Sequence, residues 1–569
     1  MAETICIDDT TGRDGFQTKG IGVDLPGRLA MAMGISSVGV DAIEIGMGVN
    51  KAEFEMLQQI AAVIGNKSYS PTGNIPIIFS LARALENDVN LAYESIKAAE
   101  PSRRGIHVFV GTSQQLRDYS IKKQKQQILE MVKSRVAQAR ELVGSQGVVK
   151  YSSEGATVTE LDFLIATCQA AANSGADIIN VPDTTGFCSP KRYYNTIKAL
   201  RNNIVGIENV VLSVHNHNDS GLAVATTLAG IEAGARRIEG CVLQLGERAG
   251  NVDWMSVVVD LMFMPEYSKR FDVSHIDTIK FYGLAELVSA VTGVPIPLNH
   301  PVVGLSAAAE SSGIHVNGVL NKPSTYFEYP LECVGRELEI VIGQTSGINT
   351  VEHFLINYGY GGVGKTHTAE QLEQMTDAAK RHAIEVEDGL TSTETRLFAE
   401  QYIRGMPSQK RITLEDFRLD YSMKGKRKIK ALLKIDDEER VGVGIGEGSV
   451  DAYMNAMHNA FGIPEGSIEL RVWKEAAKYH GLKAPGFGLL EKIPLSQAEK
   501  EMLKMDGSES VGQHALAKSL VEIKMDGDVF HGRGVDRDTT QASYLAITSA
   551  FDAAYRLGKL AIAPPASEA

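Results

Sequence analysis

The 569-residue sequence predicts an α/β protein with an N-terminal (β/α)8 TIM barrel, helical linker subdomains and a C-terminal α+β domain. Three observations carry that reading. Over roughly the first 250 residues, short β-rich runs alternate with amphipathic helical stretches eight times. Polar residues gather just after those runs, where a barrel would collect them on one face. Beyond Tyr267 the rhythm turns helical, and from Phe417 it turns strand-rich. A chain this long exceeds one ordinary core, so boundaries are placed at 1–270, 271–410 and 411–569.

The eight runs are Ile5–Asp9, Ala42–Met47, Ile75–Ala82, Ile106–Gly111, Val148–Ser153, Ile178–Asp183, Val211–His217 and Ile238–Leu243. Between them fall helical patterns such as Lys51–Ile64, Ile121–Val143, Glu160–Ser174 and Leu222–Ala233. Near-continuous apolar runs signal parallel strands buried on both faces. Eight such units fit a closed barrel better than an open doubly wound sheet. Residues 275–405 read as mostly helical, with a Pro-rich turn at Pro295–Pro301 and a loop at Ser311–His315. The C-terminal part reads as strands Lys428–Ile435 and Arg440–Ile445 with helix Val450–Phe461, then strands Ser519–Lys524 and Val529–Val535 with helix Ala542–Leu557. A strand–strand–helix unit occurring twice suggests two pseudo-related halves. Each half carries a Gly-rich turn before its helix, through Gly446 and Gly448 in one and Gly532 and Gly534 in the other. The Lys- and Glu-rich stretch 472–512 reads as a solvated excursion between them.

A net charge of −13 argues against nucleic acid and anionic membranes as partners. An anionic substrate must then be met by local cations or by a metal. Cys6, Cys168, Cys188, Cys241 and Cys333 are scattered and lack a CxxC pair, as in a reduced cytoplasmic chain. The start has no signal-peptide profile, and no apolar stretch reaches membrane-spanning length.

The most informative segment is Ser213-Val214-His215-Asn216-His217. Strand side chains alternate faces, so His215 and His217 point the same way. Two imidazoles converging on one point suit a metal better than an apolar core. Other polar groups track the strand ends. Asp9, Arg13 and Asp14 follow the first run, Glu44 lies in the second and Arg83 follows the third. His107 lies in the fourth, Glu154 ends the fifth, Thr184 and Thr185 follow the sixth, and Glu247–Asn251 follow the eighth. An Arg–Asp pair at a barrel mouth supplies a cation to polarise a carbonyl and a carboxylate to hold a metal.

With these motifs the chain resembles the acyl-CoA condensing branch of the barrel metallolyases, the branch of the 2-isopropylmalate, citramalate and homocitrate synthases. The matching pieces are Asp9-Thr10-Thr11-Gly12-Arg13-Asp14-Gly15, Val40–Glu44, Val181–Thr184, the His-x-His pair, Gly246-Glu247-Arg248-Ala249-Gly250-Asn251 and Ser311–His315. Gly446–Ala452 and Gly532–Ser543 are similar to the paired motifs of the leucine-sensing domain of 2-isopropylmalate synthases. The resemblance implies one divalent cation (Mg²⁺, Mn²⁺ or Zn²⁺) on Asp14, His215 and His217, with Asn251 completing or supporting the shell. It implies Arg13 as the polarising cation and Thr185 on the substrate carboxylate; Glu44, Arg83 and His107, gathered with them by their strand positions, would line the substrate site. Glu154 with His315, supported by Tyr326, would take the methyl proton of acetyl-CoA, and His315 would come from a partner subunit in a homodimer. The substrates implied are acetyl-CoA and a short 2-oxoacid, first 2-oxoisovalerate, and the C-terminal domain would be regulatory, answering to leucine or isoleucine. The chain departs from the family pattern at Gly155, Val158, Met47-Gly48 and Val316-Asn317. The reaction class is therefore more firmly implied than the substrate.

Three other readings compete. Related acyl-CoA lyases stop soon after the barrel and carry a cysteine in a Gly-rich loop, whereas this chain runs far beyond it and has Cys241 in a predicted strand. A catalytically silent sensor would not be expected to keep Arg13, Asp14, Glu154, His215, His217 and Asn251 together. Gly359–Thr366 fits the phosphate-loop pattern G-x-x-x-x-G-K-[ST], but that site needs a preceding strand, and Val351–Tyr358 reads as helical.

Overall fold

The computed structural model describes residues 2–386, 388–421, 426–464, 467–479, 515–536 and 538–561. It divides into two compact units, one of Met1–Ala309 with Lys322–Glu339, the other of Glu310–Asn321 with Ile340–Ala569. The helical stretch 271–410 is thus shared between the two units.

In the first unit eight parallel strands close into a barrel: β1 (Cys6–Asp9), β2 (Ala42–Gly46), β3 (Ile77–Arg83), β4 (Arg104–Gly111), β5 (Val148–Glu154), β6 (Ile178–Asp183), β7 (Val211–Asn216) and β8 (Arg237–Gly240). Each is followed by a helix: α1 (Leu25–Val38), α2 (Lys51–Ile64), α3 (Glu86–Ile96), α4 (Lys125–Val143), α5 (Leu161–Asn173), α6 (Pro190–Asn203), α7 (Ala223–Ala233) and α8 (Trp254–Phe263). The ring of helices forms because each start is marked locally. Asp24, Asn50, Ser189 and Asp253 accept hydrogen bonds from the first-turn N–H groups of α1, α2, α6 and α8. Between strands and helices lies a continuous core including Ile7, Ile43, Ile78, Val108, Val149, Ile179, Val214 and Ile238, all essentially dry. The eighth strand is shorter than its predicted run. It stops at Gly240, and Val242–Gln244 form a 3₁₀ turn in which Leu243 has φ 57°. Cys241 therefore lies just past the strand, not on it.

In the second unit, helices α11 (Ile348–Asn357), α12 (Ala369–Val386) and α13 (Ser392–Arg404) share a small core of Ile342, Val351, Leu355, Leu372, Met375 and Leu390. Before them comes α10 (Gly313–Asn321); α9 (Phe281–Thr292) belongs to the first unit. Gly359–Thr366 joins α11 to α12 with no strand before it, so the loop lacks the setting a phosphate loop requires.

Residues 412–556 hold two antiparallel three-stranded sheets. The first is β9 (Ile412–Tyr421), β10 (Arg427–Ile435) and β11 (Glu438–Gly446), followed by α14 (Ser449–Phe461). The second is β12 (Glu469–Tyr479), β13 (Ala515–Met525) and β14 (Asp528–Asp536), followed by α15 (Thr539–Arg556). Each half therefore has three strands, not the two expected, and the first eight residues of the expected 472–512 excursion are strand; 480–514 lie outside the described residues. The turn expected at Gly532–Gly534 is also overturned. Both glycines lie inside β14, where added Cβ atoms would stand 2.0 Å from Ala546 O and 1.9 Å from Ala542 O of α15. They are small so that a helix can lie directly on the strand. Gly448 does stand before its helix, as the residue preceding α14. The two halves share a core in which the Tyr453 and Tyr544 rings stack at 4.3 Å and Tyr453 Oη pairs with Thr548 Oγ1 at 2.7 Å.

Candidate active site

The site is assembled at the carboxyl ends of the barrel strands, beginning with the turn after β1. Asp9 pins that turn: its carboxylate accepts from Thr11 N at 2.9 Å, Thr11 Oγ1 at 2.7 Å and Trp254 Nε1 at 2.8 Å. The chain then folds back, Asp14 N donating to Thr10 O at 2.8 Å, and carries Arg13 and Asp14 over the barrel. His215 lies near the end of β7 and His217 one residue beyond it. Their Nε2 atoms are 3.4 Å apart, and His215 Nε2 is 3.5 Å from Asp14 Oδ2. Ligand atoms of Asp14, His215 and His217 all lie within 4.8 Å of one another, and all three residues are buried.

Asn251 reaches this group through a strained loop. Leu243, Gln244 and Arg248 have φ of 57°, 56° and 57°, a left-handed conformation that costs energy in non-glycine residues. Gly250, at φ 84°, passes so close to Gln244 O that a Cβ there would stand 1.8 Å away. The outcome is that Asn251 Nδ2 donates to Asp14 Oδ1 at 2.9 Å and to Leu245 O at 3.1 Å. Its Oδ1 is buried with no hydrogen-bond partner among the described residues, as is His217 Nδ1.

The electrostatics suit a cation. Burial alone would raise the Asp14 carboxyl, but Arg13, His215, His217 and the Asn251 amide together outweigh it and hold the group down at about 2. Burial, with His215 alongside, pushes His217 down to about 4, so its imidazole is neutral at pH 7 and keeps a lone pair. A carboxylate and two imidazoles converging in a buried space form a donor set that fits a divalent ion, and Asn251, bonded to Asp14 through Nδ2, carries an unpartnered buried amide oxygen beside it. Arg13 pairs with both Asp14 and Glu44, and its side chain remains 12% exposed.

Beneath this group the barrel interior is polar. Glu44 Oε2 lies 2.5 Å from His107 Nδ1, and His107 Nε2 lies 2.6 Å from Ser152 Oγ. Asn180 Nδ2 donates to Ser152 Oγ at 2.9 Å and to Glu239 Oε2 at 3.0 Å. Lys150 and Arg237 supply the counter-charges for Asp8 and Glu239. Glu44, His107 and Glu239 also have metal-compatible spacing. There, however, Arg13 and Lys150 already stand against the carboxylates.

Other predicted residues are placed differently. Glu154 ends β5 partly buried, and burial with repulsion from Glu247 raises its carboxyl above the ordinary range. Thr185 is exposed in the turn after β6. Arg83 turns to Asp88 of α3, 2.5 Å away, and its side chain is 53% exposed; no contact ties it to the buried group. Tyr326 belongs to the first unit and is 41% exposed. His315 belongs to the second unit, on α10, with Nδ1 3.0 Å from Glu310 Oε2. Lys150, Ser152, Asn180 and Glu239 also belong to this interior, although no sequence motif marks them. The signal lies in placement instead: a charge inside the apolar runs Val149-Lys150-Tyr151 and Ile238-Glu239-Gly240 has to face the barrel interior.

The fold is that of an HMGL-like barrel protein: the HMGL-like family model matches residues 4–288, the stretch that holds the barrel and its buried carboxylate–histidine group. The homocitrate synthase post-HMGL domain-like model matches residues 302–387, and the LeuA allosteric (dimerisation) domain matches 392–486 and 507–555. The chain belongs to the 2-isopropylmalate synthase family. It is 32% identical over 556 residues to the 2-isopropylmalate synthase of Dictyoglomus turgidum, covering 96% of this chain and 97% of the relative. It is 31% identical over 564 residues to that of Gloeobacter violaceus, covering 97% and 95%. Among solved structures, the HMG-CoA lyase of Brucella melitensis superposes with a TM-score of 0.42 at 18% identity, over 51% of this chain and all of that one.

Proposed function

We propose that this chain is an acyltransferase that condenses acetyl-CoA with a short 2-oxoacid, first 2-oxoisovalerate, giving 2-isopropylmalate for leucine biosynthesis. The observation that carries this is the convergence of Asp14, His215 and His217 beside Arg13, in a chain similar to 2-isopropylmalate synthases over nearly its whole length. Asp14, His215 and His217, with Asn251 in support, would hold one Mg²⁺, Mn²⁺ or Zn²⁺ ion, which when bound supplies a Lewis acid for the 2-oxoacid's keto and carboxylate oxygens.

Arg13 sets a positive charge where the keto oxygen becomes negative, which stabilises that charge most where water is excluded. Glu44 holds Arg13 there and is itself held by His107. Thr185 offers a hydroxyl to the substrate carboxylate. Glu154, with its affinity for protons raised by burial, takes a methyl proton from acetyl-CoA. The resulting enolate carbon attacks the keto carbon, and water then cleaves the thioester to release the CoA thiol. His315, with Tyr326, serves the same proton transfer in a homodimer, with His315 drawn from the partner. Arg83, held by Asp88, stands at the rim of this scheme. The C-terminal domain answers to leucine or isoleucine. Cysteines that form no disulfide accord with a cytoplasmic setting, and no helix of the described residues is long and apolar enough to cross a membrane.

Thiol release from acetyl-CoA by the purified chain tests the proposal. It should require both a divalent ion and a 2-oxoacid, and run fastest with 2-oxoisovalerate. Pyruvate or 2-oxoglutarate as the best substrate would reassign it to citramalate or homocitrate synthesis. No release across branched, short and dicarboxylic 2-oxoacids would overturn it.

A further inference from the structure

Lys150 is a charged residue in the middle of a barrel strand, with its side chain fully buried. Its Nζ lies 2.6 Å from Asp8 Oδ2, 2.5 Å from Glu239 Oε1 and 4.2 Å from the centre of the Phe79 ring. Burying such charges is costly, and a barrel interior is ordinarily filled by branched apolar side chains. The other oxygen of Glu239 points toward the catalytic end. Oε2 accepts from Asn180 Nδ2 at 3.0 Å and stands 3.2 Å from His215 Nδ1, which makes no hydrogen bond of good geometry to any described residue. Across the same ring, Nε2 faces Asp14 and His217. One imidazole thus lies between two carboxylates.

That placement discriminates between the tautomers of His215. A neutral imidazole carries one N–H. With the proton on Nε2, the Nδ1 lone pair would face the Glu239 carboxylate and repel it. With the proton on Nδ1, the charge of Glu239 is met and the Nε2 lone pair is turned toward Asp14 and His217, where a cation would sit. Lys150 and Asn180 fix the carboxylate that makes this choice. We propose that Glu239, anchored by Lys150, is a positioning residue that holds the ring and tautomer of His215 for a divalent cation. The inference rests on the metal-site reading of Asp14, His215 and His217. The competing account is that Glu239 serves only as a counter-charge for Lys150.

Mn²⁺ binding to the full-length chain, measured by calorimetry beside thermal unfolding, separates the two. In Glu239→Gln, the Lys150 ammonium claims the amide oxygen and turns the NH₂ group toward His215, favouring the wrong tautomer. Its Mn²⁺ affinity should fall by about 10–100-fold, the usual cost of losing a partner behind a ligand histidine. In Lys150→Met/Glu239→Leu both charges are gone, so the unfolding temperature should stay near that of the wild type while the affinity stays low. The double variant carries the test if the single one does not fold. An unchanged affinity in either variant would overturn the inference. If the wild type takes up no Mn²⁺, the metal-site reading fails and this inference with it; a wild type that binds while the variants bind equally well sinks the inference alone.

Discussion

Glu154 is a carboxylate whose neighbours work against its charge. Burial raises its proton affinity, and Glu247 raises it further. If Glu154 takes the methyl proton it must be ionised to act, and kcat/KM should then fall as pH drops through this raised value. Glu247→Gln removes the repulsion and lowers the Glu154 pKa, and the acidic limb of the pH profile should therefore move to lower pH. A limb that stays in place would mean that another group controls it. Glu247 is exposed, so the substitution leaves the core untouched. Arg13, by contrast, answers two buried carboxylates at once, and no neutral residue in its place would leave the site's charge balance intact.

Two elements concentrate strain or close packing, and each yields a prediction. The loop 241–251 spends three left-handed non-glycine residues to bring Asn251 under Asp14. In Gly250→Ala a methyl group would meet Gln244 O in a backbone conformation that alanine disfavours. The loop should reopen, with Mn²⁺ affinity and turnover falling together while the circular dichroism of the barrel is kept. Strand β14 makes the second case. Gly532→Ala would drive a methyl into the backbone of α15, and unlike a side chain, that backbone cannot swing aside. Overpacking of this kind costs about 1–3 kcal/mol or more. Chemical denaturation of the variant should show the loss in the transition of the C-terminal domain, with thiol release by the barrel largely kept at low denaturant.

At the scale of the whole molecule, the separation of His315 from the barrel residues into another compact unit sets the main test of assembly. If His315 serves a partner's barrel, His315→Ala and Asp14→Ala chains that are dissociated and reassociated together should regain part of the activity that each lacks alone. Failure to complement would mean that each chain supplies its own proton acceptor. Regulation is tested on the full chain against a chain ending near Arg411, with leucine and with isoleucine. An effector should slow only the full chain, through a coupling of about 1–3 kcal/mol between sensor and barrel. Insensitivity to both amino acids would leave the two stacked sheet–helix halves as a structural element.

The barrel was legible in the sequence because each parallel strand turns apolar residues toward the surrounding helices, and eight such runs spaced by helices close in few ways. His215 and His217 were legible for the same local reason: strand alternation puts both on one side. Where local rules lose their grip, sequence pattern and structure part. Gly532 and Gly534 resembled a turn, since glycine signals turns, but the need was for a bare strand beneath a helix. Strand β12 resembled solvated chain because its pairing partner lies beyond residue 514. Arg83 sits at a strand end like the site residues, yet a carboxylate five positions on captures it. The sequence alone determined the order of elements and the inward-facing pair of histidines, through periods of two and 3.6 residues. Only the tertiary structure decided which charges meet. Lys150, Glu239 and Asp8 come from three strands far apart in the chain, and the free energy of burying a charge depends on partners that chain position does not specify.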